Sequence, residues 1–313
     1  VADAEGGVPT TPEDRKATLA LLKEPRWEDT DAAGFGDGPE DDAPLWRMFQ
    51  KVTGEGFAGH DQGQIGSCVS FGVSLALENT LCTKINGKRG PPQQFSFTVR
   101  EAIYGGSRIN ADPQNPIRNG DGSTGSRAAK WGQKGIGGAL PIGNYGPYSV
   151  SRCREWGNKG IAGDDLAKCK TNPYQSTLVT SAEAARQAIQ QGYAIFVCSD
   201  QGFSQTRDAD GFLRPQGTWM HCMAICGYRG DARKGFLIVN SWGPSWVKGP
   251  PGKFTDIPPG SFWADVSTVD RMLRQQDSYA VADVEGFQRR KILPEDWVVQ
   301  RRPGVAPNVF AFR

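Results

Sequence analysis

The sequence predicts an α+β fold, and three observations carry that expectation. Apolar residues at helical spacing sit behind capping residues in the first half, strand-sized apolar runs fill the second, and Gly and Pro punctuate the stretches between them. At 313 residues and 38% hydrophobic content the chain can bury a sizeable core, as one large domain or as two lobes. A mainly helical half ahead of a mainly β half leaves a natural cleft where the two meet.

Taken in order, Thr11, Pro12 and Asp14 form a capping pattern ahead of Leu19 and Leu22, which predicts a short helix over about 12–23. Residues 30–44 are dense in Gly, Asp and Pro and read as a linker. The chain therefore divides into an acidic N-terminal extension (1–44), a compact domain (45–285) and a basic C-terminal extension (286–313). A long helix is expected over 68–84, capped by Ser67, with Phe71, Leu75 and Leu81 near helical spacing and a stop around Gly87. Shorter helices follow at 97–104 and 126–134, and 137–178 reads as loop. Ser181 then caps a helix running to Gln191, which Gly192 ends, and strands are expected at 193–198, 219–228 and 235–240.

The bulk properties narrow the function classes. No apolar run approaches the roughly 20 residues of a membrane-spanning helix, so no membrane partner is expected. The first residues carry no apolar h-region of a secretory signal, which favours an intracellular or virion-associated setting. The net charge of +2 hides a segregation: residues 1–45 hold twelve acidic against four basic side chains, and the remainder is basic. Such a leader either lies across the body, ordered by an assembly partner or by the body itself, or is a solvated tail, the commoner case. The basic clusters Arg289-Arg290-Lys291 and Arg301-Arg302 lack a recognition motif and read as solvated surface, not as a nucleic-acid site.

Seven cysteines are an awkward number for a disulfide framework. Cys222 and Cys226 stand about 13 Å apart along one strand and cannot bond to each other there. Cys153 and Cys169 bracket a Gly-rich loop and could pair; the others read as reduced thiols. No metal is expected, since the cysteines near His221 lack Cys-x-x-Cys spacing and "DADG" (208–211) lacks the downstream Glu of a calcium loop. No cofactor motif is present either.

The chemistry gathers around one thiol. A nucleophilic Cys needs a base and a positive field. The chain has only two histidines: His60, which reads as a loop histidine, and His221 at the head of an apolar run. The stretches "QGQIGSCVSF", "HCMAICGY" and "NSWG" bring Gln62, Cys68, His221, Asn240 and Trp242 in that order. In these three stretches the chain resembles the papain-like cysteine peptidases over roughly residues 55–285. The resemblance implies a two-lobed fold, helical in its first lobe and an antiparallel β-sheet or barrel in its second, with the site in the cleft between them.

It also implies roles. Cys68 would be the nucleophile, His221 the base and later the acid, and Asn240 the group that orients the imidazole under the cover of Trp242. Gln62 and the Cys68 backbone N–H would form the oxyanion hole. Gly120 and Gly122, in "NGDGSTGSRAAKWGQKGI", match the strand edge that pairs with substrate backbone, although turn glycines account for them equally well. A peptide or protein substrate follows.

The chain departs from the family in several places. Ile65 stands where a second Cys is usual, Val69 replaces an aromatic, and Cys222 replaces a small residue and so alters a pocket wall. Only 67 residues precede Cys68 here, too few for the family's helical prosegment but enough for a short extension crossing the cleft. These changes keep a second reading open, that of a structural or interaction component of a virion or other large assembly with a vestigial site.

Overall fold

The computed structural model describes residues 25–34, 41–54, 60–87, 95–290, 292 and 294–297. The expected helix over 12–23 lies outside these residues, as do Arg301 and Arg302.

Helix α1 (Leu45–Thr53) leads into the long α2 (Cys68–Asn86), which runs through the core. Helix α2 is buried on nearly every face, including Glu78, Asn79 and Lys84, so its apolar residues form no single stripe. Around it lie α3 (Arg100–Gly105), which continues as a π-helical turn over Gly106–Asn110, and α4 (Gly125–Gly132), α5 (Val150–Lys159) and α6 (Gly163–Lys170). The last two occupy the stretch expected to be loop. Of the ten residues of α5 only Cys153 and Gly157 are buried, so no apolar periodicity announces it.

The second half is one antiparallel sheet flanked by α7 (Ala182–Gln190) and α8 (Val266–Leu273). Its strands are β1 (Ala43–Pro44), β2 (Gln175–Leu178), β3 (Ile195–Phe203), β4 (Pro215–Arg229), β5 (Gly235–Val239), β6 (Ser261–Asp265) and β7 (Tyr279–Ala282). The order is β2-β7-β3-β4-β5-β6, with β1 added to β4. The sheet is open: among the described residues β2 and β6 end it and do not pair, so the barrel alternative does not hold. Ser181 caps α7 as expected, its hydroxyl accepting the Ala184 N–H at 3.1 Å. Helix α2 packs on β3 and β4, which sets its N-terminus against the middle of the sheet.

Two segments expected to be extensions are part of this body. Trp27 has no exposed surface; it packs edge-on against Tyr193 and Phe287 and donates its indole N–H to Gln187 at 3.0 Å. Ala43 and Pro44 pair with Tyr228 and Gly227 on β4. Arg289 donates to the Asp31 carbonyl, and Arg290 is 5% exposed with its guanidinium 4.4 Å from the Tyr193 ring centre. Residues 25–34 and 286–290 thus pack against each other, and Arg289 and Arg290 are not the solvated patch expected of them. All seven cysteines are free thiols, including Cys153 and Cys169.

Candidate active site

The segment ahead of Cys68 is joined to the segment behind Asn240. Gln62 N–H donates to the Ser241 carbonyl and Gly243 N–H to the His60 carbonyl, both at 2.8 Å, and Asp61 bridges to Trp242. The Gln62 side chain is wholly buried and held at both ends: Nε2 donates to the Ile65 carbonyl at 2.9 Å, and Oε1 accepts from the Ser241 hydroxyl at 2.6 Å. Ile65 packs in a small cluster with Tyr104 and Cys153, so an apolar contact stands in the loop where a second Cys is usual.

Cys68 opens α2 and has no exposed surface. Ser67 occupies the N-cap position but its side chain caps nothing; its hydroxyl instead meets the Tyr148 hydroxyl at 3.0 Å. The dipole of α2 therefore acts on Cys68 without a side-chain cap in its first turn.

His221 lies on β4, opposite Ser199 of β3, and is 2% exposed. Its Nε2 is 2.7 Å from Asn240 Oδ1, an oxygen that also accepts the Ser241 N–H at 2.6 Å. Because that oxygen only accepts, the proton of a neutral imidazole sits on Nε2, and Nδ1 carries the lone pair. Nδ1 is buried and makes no hydrogen bond, which is the state a base requires. The Trp242 ring lies 4.5 Å from the imidazole, centre to centre, and packs in turn at a tilt against Trp219 and edge-on against Trp246. Beneath these rings His221 and Asn240 are both buried.

Burial lowers the His221 pKa to about 4, and the bond to Asn240 opposes that shift only in part. The imidazole is therefore neutral at pH 7. A folded-state pKa below the unfolded 6.5 means that the unfolded chain takes up the proton first, so stability present above pH 6.5 is lost as pH falls toward 4. Urea unfolding followed between pH 7 and 4 is expected to show a loss of about 3 kcal/mol that is missing in His221→Gln. Equal pH slopes in the two proteins would contradict it.

Gly120 and Gly122 adopt φ values of 63° and 100°, which favour glycine. Arg108 donates to both carbonyls, at 2.8 Å to Gly120 and 2.5 Å to Gly122, and the Gly122 N–H meets the Tyr104 hydroxyl at 3.3 Å. Both carbonyls and the Gly122 N–H thus have partners within the chain. Arg108 is 1% exposed, and nothing in the spacing of the motifs singled it out. His60 is turned away from the site, toward Arg100. Among the described residues no group of three or more His, Cys, Asp or Glu is placed to hold a metal ion, and no helix is long and apolar enough to cross a membrane.

No protein-family model matches the chain, and no curated protein matches it in sequence. Solved structures do match in shape. The Amb a 11 cysteine protease, a ragweed pollen allergen, superposes in its proform with a TM-score of 0.53 at 20% identity, over 90% of this chain and 75% of that one. A procathepsin B from Trypanosoma congolense superposes with a TM-score of 0.52 at 12% identity, over 89% of this chain and 85% of its own. The fold is papain-like. Cys68 stands at the start of the long buried helix α2, and His221 stands on β4 of the sheet.

Proposed function

We propose that this chain is a cysteine peptidase that hydrolyses peptide bonds through a thioester at Cys68. The observation that carries the reading is the His221–Asn240 bond, which leaves the lone pair on Nδ1 of a buried, neutral imidazole. In this reading Nδ1 takes the Cys68 thiol proton and the sulfur attacks the substrate carbonyl carbon. The oxyanion is met by the Gln62 amide and the Cys68 backbone N–H; one such donor is typically worth about 3 kcal/mol. Collapse to the thioester expels the amine, which takes the proton back from His221. Water, deprotonated by the same imidazole, then releases the acid.

Cys68 has no exposed surface, so a displacement at the site must precede acylation. The same burial favours the second reading, an assembly component whose site is vestigial. Mass-spectrometric mapping of iodoacetamide adducts at pH 5 to 7 separates the two. Rapid alkylation confined to Cys68 and persisting at acid pH supports the peptidase, and slow alkylation spread over several cysteines supports the assembly component.

Asn240→Ala tests the orienting role. Without its acceptor the imidazole is free to turn, and a misplaced catalytic group costs on the order of 10²-fold. The alkylation rate of Cys68 is expected to fall by about that factor. An unchanged rate would remove Asn240 from the proposed machinery.

A further inference from the structure

Cys198 and Cys222 lie directly opposite each other in the β3–β4 ladder. The Cys198 N–H does not point into that ladder: it donates to the Ser278 hydroxyl at 3.2 Å on the other side of β3. The two cysteines thus form a pair without mutual backbone hydrogen bonds, the kind in which Cα atoms stand about 4.5 Å apart and side chains come closest. That separation lies inside the roughly 4.4–6.8 Å that a disulfide spans. Their free sulfurs are 2.8 Å apart. No other pair among the seven cysteines shares a rung of the sheet in this way.

The surroundings of the pair tie it to the candidate site. Cys222 directly follows His221, and its sulfur packs where α2 makes room for it: a Cβ at Gly72 would sit 2.9 Å from that sulfur. Gly72 is four residues past Cys68 on the same helix face. Cys198 retains 8% exposure against 1% for Cys222, so a reagent meets Cys198 first.

We propose that Cys198 and Cys222 form a redox-active dithiol that closes reversibly to a cross-strand disulfide beside Cys68 and His221. The reaction partner is a low-molecular-weight disulfide of the glutathione type. The Cys198 thiolate attacks one sulfur of that disulfide and expels one thiol; the Cys222 thiolate then attacks the Cys198 sulfur of the mixed disulfide and expels the second. Two protein thiols are oxidised and one disulfide is reduced to two thiols, with no other reactant. Closure draws the Cys222 sulfur toward β3 and away from Gly72, so the oxidised and reduced chains present different walls next to Cys68. The proposal does not depend on peptide hydrolysis, because it concerns sulfurs that take no part in that reaction.

The test is mass-spectrometric mapping of the folded full chain equilibrated in glutathione buffers of graded redox poise, alkylated in urea and digested without reduction. A Cys68→Ala chain is carried alongside, and a urea-unfolded sample serves as reference. The expected result is a peptide pair joined through Cys198 and Cys222 as the dominant crosslink in both folded chains. It titrates with a single midpoint, reverses with dithiothreitol and is at least about tenfold less abundant in the unfolded reference. Alkyl groups on both Cys198 and Cys222 at the most oxidising poise would overturn the proposal. So would a crosslink no more abundant in the folded chain than in the unfolded one, or a crosslink lost in Cys68→Ala.

Discussion

Cys68→Ala is expected to lower hydrolysis of a fluorescently labelled, denatured protein substrate by at least about 10⁴-fold, since removing a nucleophile removes every step that passes through it. The fold should tolerate the change. One sulfur leaves the start of a helix that the rest of α2 and its packing on β3 and β4 hold in place, so the stability cost should stay near 1 kcal/mol. Cys68→Ser keeps an atom of nearly the same size and should be almost as inactive, because an alcohol is far less readily ionised than a thiol. Activity in Cys68→Ala above about one hundredth of the parent would sink the peptidase assignment. Absence of activity in the parent as well would favour the assembly component.

The candidate site was read from short runs, a Gly-Ser-Cys opening an apolar helix, a His heading an apolar strand and an Asn-Ser-Trp-Gly, through their resemblance to the papain-like cysteine peptidases. Long-range packing was not legible. Trp27 is a single aromatic in an acidic, Gly-rich leader, and no periodicity foretells that it closes on Tyr193 and Phe287, residues more than 160 positions away. Helices α5 and α6 are only ten and eight residues long and bury one or two side chains each, too few to raise a stripe above a loop. Strands β2 and β7 have four residues apiece and take their shape from pairing with each other, which a reading of either run alone does not contain. The acidic leader was read as lying across the body or as a solvated tail and the basic clusters as solvated surface, and Arg289 meets the Asp31 carbonyl. A balance of charges along the sequence tells which segments attract, and not whether they touch.

Behind the site stands a buried charge cluster whose disruption should have the largest effect on stability. Glu78, on α2, has no exposed surface; its Oε1 accepts the Thr98 N–H at 3.0 Å and its Oε2 lies 3.5 Å from Arg100 Nη2. The same Nη2 is 3.3 Å from His60 Nε2, and since a guanidinium only donates, Nε2 is the acceptor. Burial, reinforced by Arg100, holds His60 well below its usual pKa, so it stays neutral and keeps that lone pair. The His60 carbonyl in turn anchors Gly243, which places this cluster directly behind the Gln62–Ser241 joint.

Arg100→Ala strips the counter-charge from a carboxylate that has no route to water, and removal of one partner of a buried pair typically costs about 3–5 kcal/mol. The pH dependence identifies the cause. Burial already raises the Glu78 pKa, with Arg100 and the Thr98 N–H opposing it, and loss of Arg100 raises it further. A carboxyl whose folded pKa exceeds its unfolded one imposes no penalty below the unfolded value, and an increasing one as pH rises toward the folded value. Urea unfolding of Arg100→Ala should therefore show its deficit against the parent growing as pH rises past the parent's own raised Glu78 pKa. Adding Glu78→Gln should recover most of it, because the amide needs no counter-ion and can still accept the Thr98 N–H. A deficit that is flat with pH, or equally large in the Glu78→Gln background, would mean that Arg100 acts through its packing on Phe71, whose ring centre lies 5.3 Å from the guanidinium carbon, and not through Glu78.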